Sequence, residues 1–277
     1  MKIITLMENT AGSNTYGNKP CHYEHGLSLY IETEQHKLLV DTGASALFLE
    51  NAELLGIDLT KVDALILSHG HYDHSGGIME FTKINSNASI YMQSAAGADY
   101  YHISPNDHRY IGIDKAILAL PQCKKIDGEL NLDEELYLFS NITGTKYPIR
   151  GNRVLKKKVG DNYVQDIFDH EQCLVITQKD KRILISGCAH NGIINILDRY
   201  VEIFHNYPDI VISGFHMQQK DGYSEEDITN IQNIASALLG TGAVFFTGHC
   251  TGQVAYDIMK PIMGDRLQPI HSGKQLL

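Results

Sequence analysis

Ser68-His69-Gly70-His71-Tyr72-Asp73-His74, directly after the apolar run Ala64-Leu65-Ile66-Leu67, puts three histidines and an aspartate within six residues. Imidazoles crowded together repel one another when protonated and are costly to leave unpaired in an apolar setting. A divalent cation neutralises such a cluster and prefers imidazole and carboxylate in this mixture. A chain leaving a strand into a tight turn aims residues i and i+2 to one side and residues i+4 and i+5 to another. His69 and His71 can therefore share one ion while Asp73 and His74 begin a second. Gly70 gives the turn its freedom, and Gly76-Gly77 lets backbone approach before Ile78 opens a helix. Loop histidines satisfied only by hydrogen bonds are the weaker alternative, and the density of ligands favours a binuclear metal site.

A chain of 277 residues with 43% hydrophobic content can bury the core of one large α/β domain. No linker, repeat or low-complexity tract divides it, so residues 1–277 read as one domain. The most polar interval, 101–163, reads as an insertion or lid. A formal net charge of −10 disfavours nucleic acid as a partner, because phosphate neutralisation needs a basic face. The local cluster Arg150, Arg153 and Lys156-Lys157-Lys158 reads first as a solvated loop, and secondly as a patch attracting an anionic substrate. Five cysteines without scaffold-like spacing point to reduced thiols in a cytoplasmic protein. The amino terminus, broken by Glu8, lacks the pattern of a signal peptide, and no apolar run is long enough to span a membrane. Nothing in the sequence specifies an oligomeric state.

Short runs rich in branched residues read as strands at 2–7, 27–32, 37–40, 64–67, 89–92, 136–139, 173–177, 182–186, 210–212 and 243–246. Helical spacing appears at Ile193 to Phe204 and Ile228 to Leu239, with Ser224 and Asp227 as a capping box, and 253–259 can also be helical. The polar residues of interest follow the strands: Asp41, His69, Cys188 with His190, His216 and His249. Open α/β folds build their sites at such strand ends, so these segments are expected around one cleft.

Asp41-Thr42-Gly43, the His69-x-His71-x-Asp73-His74 run and the later histidines together resemble the metallo-β-lactamase superfamily across nearly the whole chain. Glu24-His25-Gly26-Leu27-Ser28, Gly187 to Ile193, Gly214-Phe215-His216 and Gly248 to Gly252 look like the branch that contains a dihydropterin ribofuranosylaminobenzene phosphate synthase. The resemblance implies an αββα sandwich, two mixed β-sheets face to face with helices outside and two divalent metal ions at one edge, zinc foremost with manganese or iron as alternatives. By position, His69 and His71 would bind the first ion, and Asp73 and His74 the second, completed by His249. Asp41 would hold the motif loop.

Two departures stand out. Where the family has a mid-chain histidine, this chain has Gln93-Ser94, and His190 is the best substitute, ahead of His102, His108 and His170. Where a bridging aspartate is expected stands Cys188 or His190; His190 is preferred as ligand because imidazole binds without losing a thiol proton, leaving Cys188 in support. His216 follows a strand and can contact substrate or donate a proton. His25 is placed near the cleft by resemblance, and Thr251 offers a hydroxyl to an anion ahead of a helix.

These readings point to a metal-dependent hydrolase that uses a metal-activated hydroxide on a small anionic, phosphorylated molecule, with Asp73 and His216 in catalytic roles. One alternative is a dihydropterin-type synthase or lyase acting on a phosphosugar. Another is a non-catalytic or iron- and oxygen-binding module.

Overall fold

A computed structural model describes residues 1–12 and 20–277. In chain order its strands begin with β1 (Lys2–Met7), β2 (Ser28–Glu32), β3 (Lys37–Val40), β4 (Ala64–Ile66), β5 (Ser89–Gln93), β6 (Asp99–Ser104), β7 (Asp107–Tyr110), β8 (Cys123–Ile126) and β9 (Leu130–Asn131). They continue with β10 (Leu136–Phe139), β11 (Leu155–Val159), β12 (Asn162–Gln165), β13 (Cys173–Gln178), β14 (Lys181–Ile185), β15 (Ile210–Ile212), β16 (Val244–Thr247) and β17 (Leu267–Pro269). The helices are α1 (Leu47–Leu54), α2 (Tyr72–Ser75), α3 (Ile78–Ile84), α4 (Ile193–Phe204), α5 (Glu225–Gly240) and α6 (Gln253–Met263).

Two mixed sheets face each other. One has the order β1-β2-β3-β4-β5-β8 and the other β17-β16-β15-β14-β13-β10-β9. Strand alternation builds the layers. Leu38 and Val40 of β3, with Leu174 and Ile176 of β13 and Ile183 and Ile185 of β14, meet in the core between the sheets. Leu39 of β3 turns the other way, towards Phe48 of α1 and Ile78 and Phe81 of α3. Val175 and Leu184 turn outward onto α4, α5 and α6, where Ile196, Tyr200, Ala235, Leu238 and Met259 are fully buried. The result is the αββα sandwich expected from the family resemblance. Ser224 and Asp227 form the capping box at the start of α5, each side chain bonding the other's backbone.

β3, β4, β5 and β8 run parallel, as do β14 to β17. Their carboxyl ends therefore release Asp41, His69, Cys188, His216 and His249 at one edge of the sandwich. The polar interval 101–163 takes two paths. β6, β7, β11 and β12 form a separate four-stranded antiparallel sheet, while β8, β9 and β10 join the main sheets. The small sheet escapes sequence reading because β12 is exposed along its whole length and β7 buries little, so neither shows apolar alternation. Among the described residues, no helix is long and apolar enough to cross a membrane.

The motif loop is locked to the turn after β3. Thr42 N donates to His74 O at 2.8 Å and Gly76 N to Gly43 O at 2.9 Å. A Cβ at Gly76 would lie 2.1 Å from Ala44 O, a backbone atom that cannot swing aside. Gly76→Ala is expected to destabilise the fold by about 3 kcal/mol, the upper range for overpacking, read as a lower urea midpoint with unchanged slope.

Candidate metal centre

Asp41 sits fully buried beneath the motif, at φ 58°, a left-handed conformation that aspartate tolerates better than most residues. Its Oδ1 accepts from Ser68 N at 2.7 Å, and its Oδ2 accepts from Ser68 Oγ at 2.6 Å and from His74 Nδ1 at 2.7 Å. One carboxylate thus fixes the first residue of the loop and a histidine six positions later.

The same arrangement recurs at His190 and His249. Nδ1 of His74 donates to Asp41, Nδ1 of His190 lies 3.0 Å from Asn152 Oδ1, and Nδ1 of His249 lies 2.8 Å from Asn9 Oδ1. Nδ1 of His69 lies 3.0 Å from Ser68 Oγ, whose own proton is committed to Asp41. An acceptor at Nδ1 places the ring proton there and leaves Nε2 with a free lone pair, the arrangement that orients metal-binding imidazoles. Nε2 of His69, His71, His190 and His249 is buried and, among the described residues, has no hydrogen-bond partner. Four buried ring nitrogens without hydrogen-bond partners among the described residues, gathered in one place, are costly in the metal-free chain, and their chemistry fits divalent ions.

His69, His71 and His190 offer ring nitrogens within 4.8 Å of one another, as do His69 and His74 with Cys188 Sγ, and His249 and Cys250 with Cys188 Sγ. Asp73 Oδ2 lies 3.2 Å from His25 Nε2, 3.5 Å from His249 Nε2 and 3.8 Å from His74 Nε2. His190, carried on the loop after β14, therefore stands with His69 and His71. Gln93 has a structural occupation instead, donating to Gly128 O and Gln172 Oε1 and accepting from Gly128 N.

His170 and His108 do not join the cluster. His170 Nδ1 accepts from Gly70 N at 2.9 Å and Nε2 bonds Asp166 at 3.1 Å, so both nitrogens are spent, and His108 is an exposed residue of β7. His102 lies further out along the cleft with Asp107. The segment around His170 has a supporting task that the sequence did not reveal. Glu171 accepts from the backbone N–H groups of His190 and Asn191 at 2.6 and 2.9 Å, while Gln172 bonds Leu67 O and Ser68 O. Phe168 stacks flat on the His190 ring at 4.5 Å. Asn9, Asn152 and Glu171 were missed because ordinary polar residues far away in sequence carry no signal of the ring they orient.

The cluster opens into a cleft of about 860 Å³. His25, His71, Asp73, Cys188, His190, His216 and His249 line it, together with Arg109, Arg150, Arg153 and Lys220. Two members of the basic cluster, Arg150 and Arg153, thus belong to the cleft wall, whereas Lys156 and Lys157 bond Gln165 and Asp169 outside it. His216, at φ 49°, has its ring centroid 4.1 Å from that of His190, tilted by 49°, and among the described residues its Nδ1 has no partner. Thr251 is a correction. It is fully buried, accepts from Phe215 N at 2.9 Å and pairs with Thr247 Oγ1 at 2.6 Å, so its hydroxyl ties two loops together and does not reach the cleft.

Burial, with neighbouring imidazoles, pushes His69 and His190 well below the ordinary histidine range and His71 down to about 3. For Asp73 burial acts upward, but the surrounding histidines outweigh it and hold the carboxyl well below its usual value. For His249 burial acts downward and is overcome by Asp73, Cys250 and Glu8, which raise it to about 9. The sign for the metal-free protein follows. Below about pH 6.5 the unfolded chain takes up protons that buried His69, His71 and His190 refuse, so stability falls as pH drops towards 3. His249 contributes its stabilisation fully below that pH and loses it only as pH rises through 9, so it does not offset the acid loss. The urea midpoint of chelator-treated protein is expected to fall steadily between pH 7 and pH 4.

The chain matches the metallo-beta-lactamase superfamily over residues 24–145. It is 29% identical, over 99% of its length and 95% of the relative's, to the 7,8-dihydropterin-6-methyl-4-(beta-D-ribofuranosyl)-aminobenzene-5'-phosphate synthase of Methanocaldococcus jannaschii. Its structure is similar to that of a metal-dependent hydrolase of the beta-lactamase superfamily, with a TM-score of 0.82, 29% identity, and coverage of 100% of this chain and 98% of that one. The metallo-beta-lactamase fold protein YhfI from Bacillus subtilis shares the fold at a TM-score of 0.57 and 18% identity, over 99% and 98% of the two chains. In its motif loop, its αββα layers and its cluster of ring nitrogens at the shared sheet edge, the chain is similar to proteins of the metallo-beta-lactamase superfamily, whose family model it matches over residues 24–145.

Proposed function

We propose that this chain is a metal-dependent hydrolase acting on a small anionic, phosphorylated substrate, with two divalent ions in its cleft. The observation that carries the reading is the set of unpartnered Nε2 atoms on His69, His71, His190 and His249 at the base of a cleft lined by arginine and lysine. His69, His71 and His190 would hold one ion; Asp73, His74 and His249 would hold the other. Ions held there supply a water of lowered pKa and neutralise charge on the substrate oxygen.

The chain's own residues do the rest. Asp41, Asn9 and Asn152 keep the Nδ1 proton of their histidines in place, so the Nε2 lone pairs stay directed inward. Asp73, ionised at any working pH, accepts a proton-bearing partner on the cleft side and orients it. Arg153 and Lys220 are exposed and, among the described residues, have no carboxylate partner, which leaves both charges free for a substrate anion in a chain of net charge −10. His216 moves a proton at Nδ1 to the leaving oxygen. His25, bonded to Asp73 at 3.2 Å on the cleft wall, contacts the substrate. The interval 101–163 acts as a lid through the β6–β7 hairpin, whose turn residues Ser104 to Asp107 border the cleft.

Full-length similarity to the archaeal synthase favours a second reading, a synthase or lyase working on a phosphosugar. Turnover of nitrophenyl phosphate mono- and diesters by metal-loaded protein separates the two. The hydrolase reading expects chelator-sensitive release of nitrophenol, reduced about 10²-fold in His216→Gln. Inertness on all esters with turnover of a pterin-linked phosphosugar substrate would replace it with the second reading.

A further inference from the structure

Cys188 has a position among the donors that the supporting role expected from sequence does not explain. Its Sγ belongs to three sets whose ligand atoms lie within 4.8 Å of one another: with His69 and His74, with His190 and His216, and with His249 and Cys250. These sets lie on both sides of the cluster. The sulfur is buried, lines the cleft and stands 3.2 Å from His74 Nε2. The backbone is shaped to bring it there. Cys188 follows β14 directly, and a Cβ at the preceding Gly187 would lie 2.2 Å from Ser68 Oγ, so only glycine lets this loop pass so close to the motif. Cys250 differs. Its Sγ accepts from His216 N at 3.3 Å and donates to Cys188 O at 3.7 Å, which commits it to fixing two backbone segments.

We infer that Cys188 Sγ is a bridging thiolate shared by the two ions, filling the position where a carboxylate would otherwise join them; the inference rests on the two-ion reading above. A zinc–sulfur bond of about 2.3 Å and a zinc–nitrogen bond of about 2.0 Å place a bridging sulfur within roughly 4.3 Å of the nitrogens on either side. That envelope matches a sulfur that shares close donor sets with His69 and His190 on one flank and with His249 on the other. The thiol gives up one proton to solvent as the ions bind, and no electrons move. A softer shared ligand also biases the pair towards zinc or cobalt over manganese.

Cobalt(II) titration of metal-free protein tests this without any substrate. Thiolate bound to cobalt gives a near-ultraviolet charge-transfer band. A bridge predicts that the band grows through both equivalents and disappears in Cys188→Ser, while Cys250→Ser keeps it. Cys188→Asp, which restores a carboxylate, is expected to bind two equivalents without the band, and it keeps the test valid should the serine variant fold poorly. A band complete after one equivalent, or two equivalents bound by the wild type with no band, would overturn the bridge while leaving the two-ion reading intact. Saturation at a single equivalent would overturn both.

Discussion

His69→Ala is expected to lose bound metal and turnover together while the far-ultraviolet circular dichroism stays native. His69 supplies a free Nε2 at the centre of the cluster, with ring centroids 4.7 Å from His71, 4.1 Å from His74 and 4.8 Å from His190. Removing it would take a donor from the proposed first ion and leave Ser68 Oγ without its partner ring. Activity should fall by about 10³-fold or more, the scale on which losing electrostatic stabilisation at a reacting oxygen is felt. The fold should survive, because the imidazole is charge-neutral in the buried site and its main-chain segment is held separately by Gln172 and Asp41. Asp73→Ala should behave alike. Full metal occupancy in either variant, measured by elemental analysis after gel filtration, would remove that residue from the ligand set.

Asp41→Ala is expected to act on stability and on metal together. The carboxylate is completely buried and accepts three hydrogen bonds, two from Ser68 and one from His74. Deleting one partner of a buried, hydrogen-bonded group strands the others, at a cost of about 3–5 kcal/mol. Freed of Asp41, His74 no longer has its proton fixed at Nδ1, and metal affinity should fall by roughly 10- to 100-fold, as for other residues that orient ligating histidines. Urea unfolding of the metal-free protein reads the first effect and competition with a coloured chelator reads the second. A variant that bound metal normally while being destabilised would reduce Asp41 to a purely structural residue.

Much of this was legible in the sequence because it is local. The motif 68–74 carries its own spacing, and each candidate ligand follows a short apolar run that is a strand in the structure. The sandwich layers were legible for the same reason: β3, β13 and β14 are buried on both faces and read as continuous apolar runs. What escaped is non-local or two-sidedly polar. β11 is Leu-Lys-Lys-Lys-Val, and its lysines are held half-buried only by pairing with β6 and β12. α1 has no capping side chain to announce it. Asn9, Asn152 and Glu171 act on rings far away in sequence, and only the folded chain brings them there. Thr251 shows the reverse failure, because a hydroxyl after a strand gives no hint of facing cleft or core.

The central claim is that His190 supplies the histidine missing from the middle of the chain and so completes a two-ion site. Elemental analysis of zinc-loaded wild type, His190→Ala and His170→Ala after exhaustive desalting tests it most directly. Two ions per chain are expected in the wild type and in His170→Ala, where the lost ring carries no free nitrogen, and one or fewer in His190→Ala. Two ions retained in His190→Ala would contradict the account.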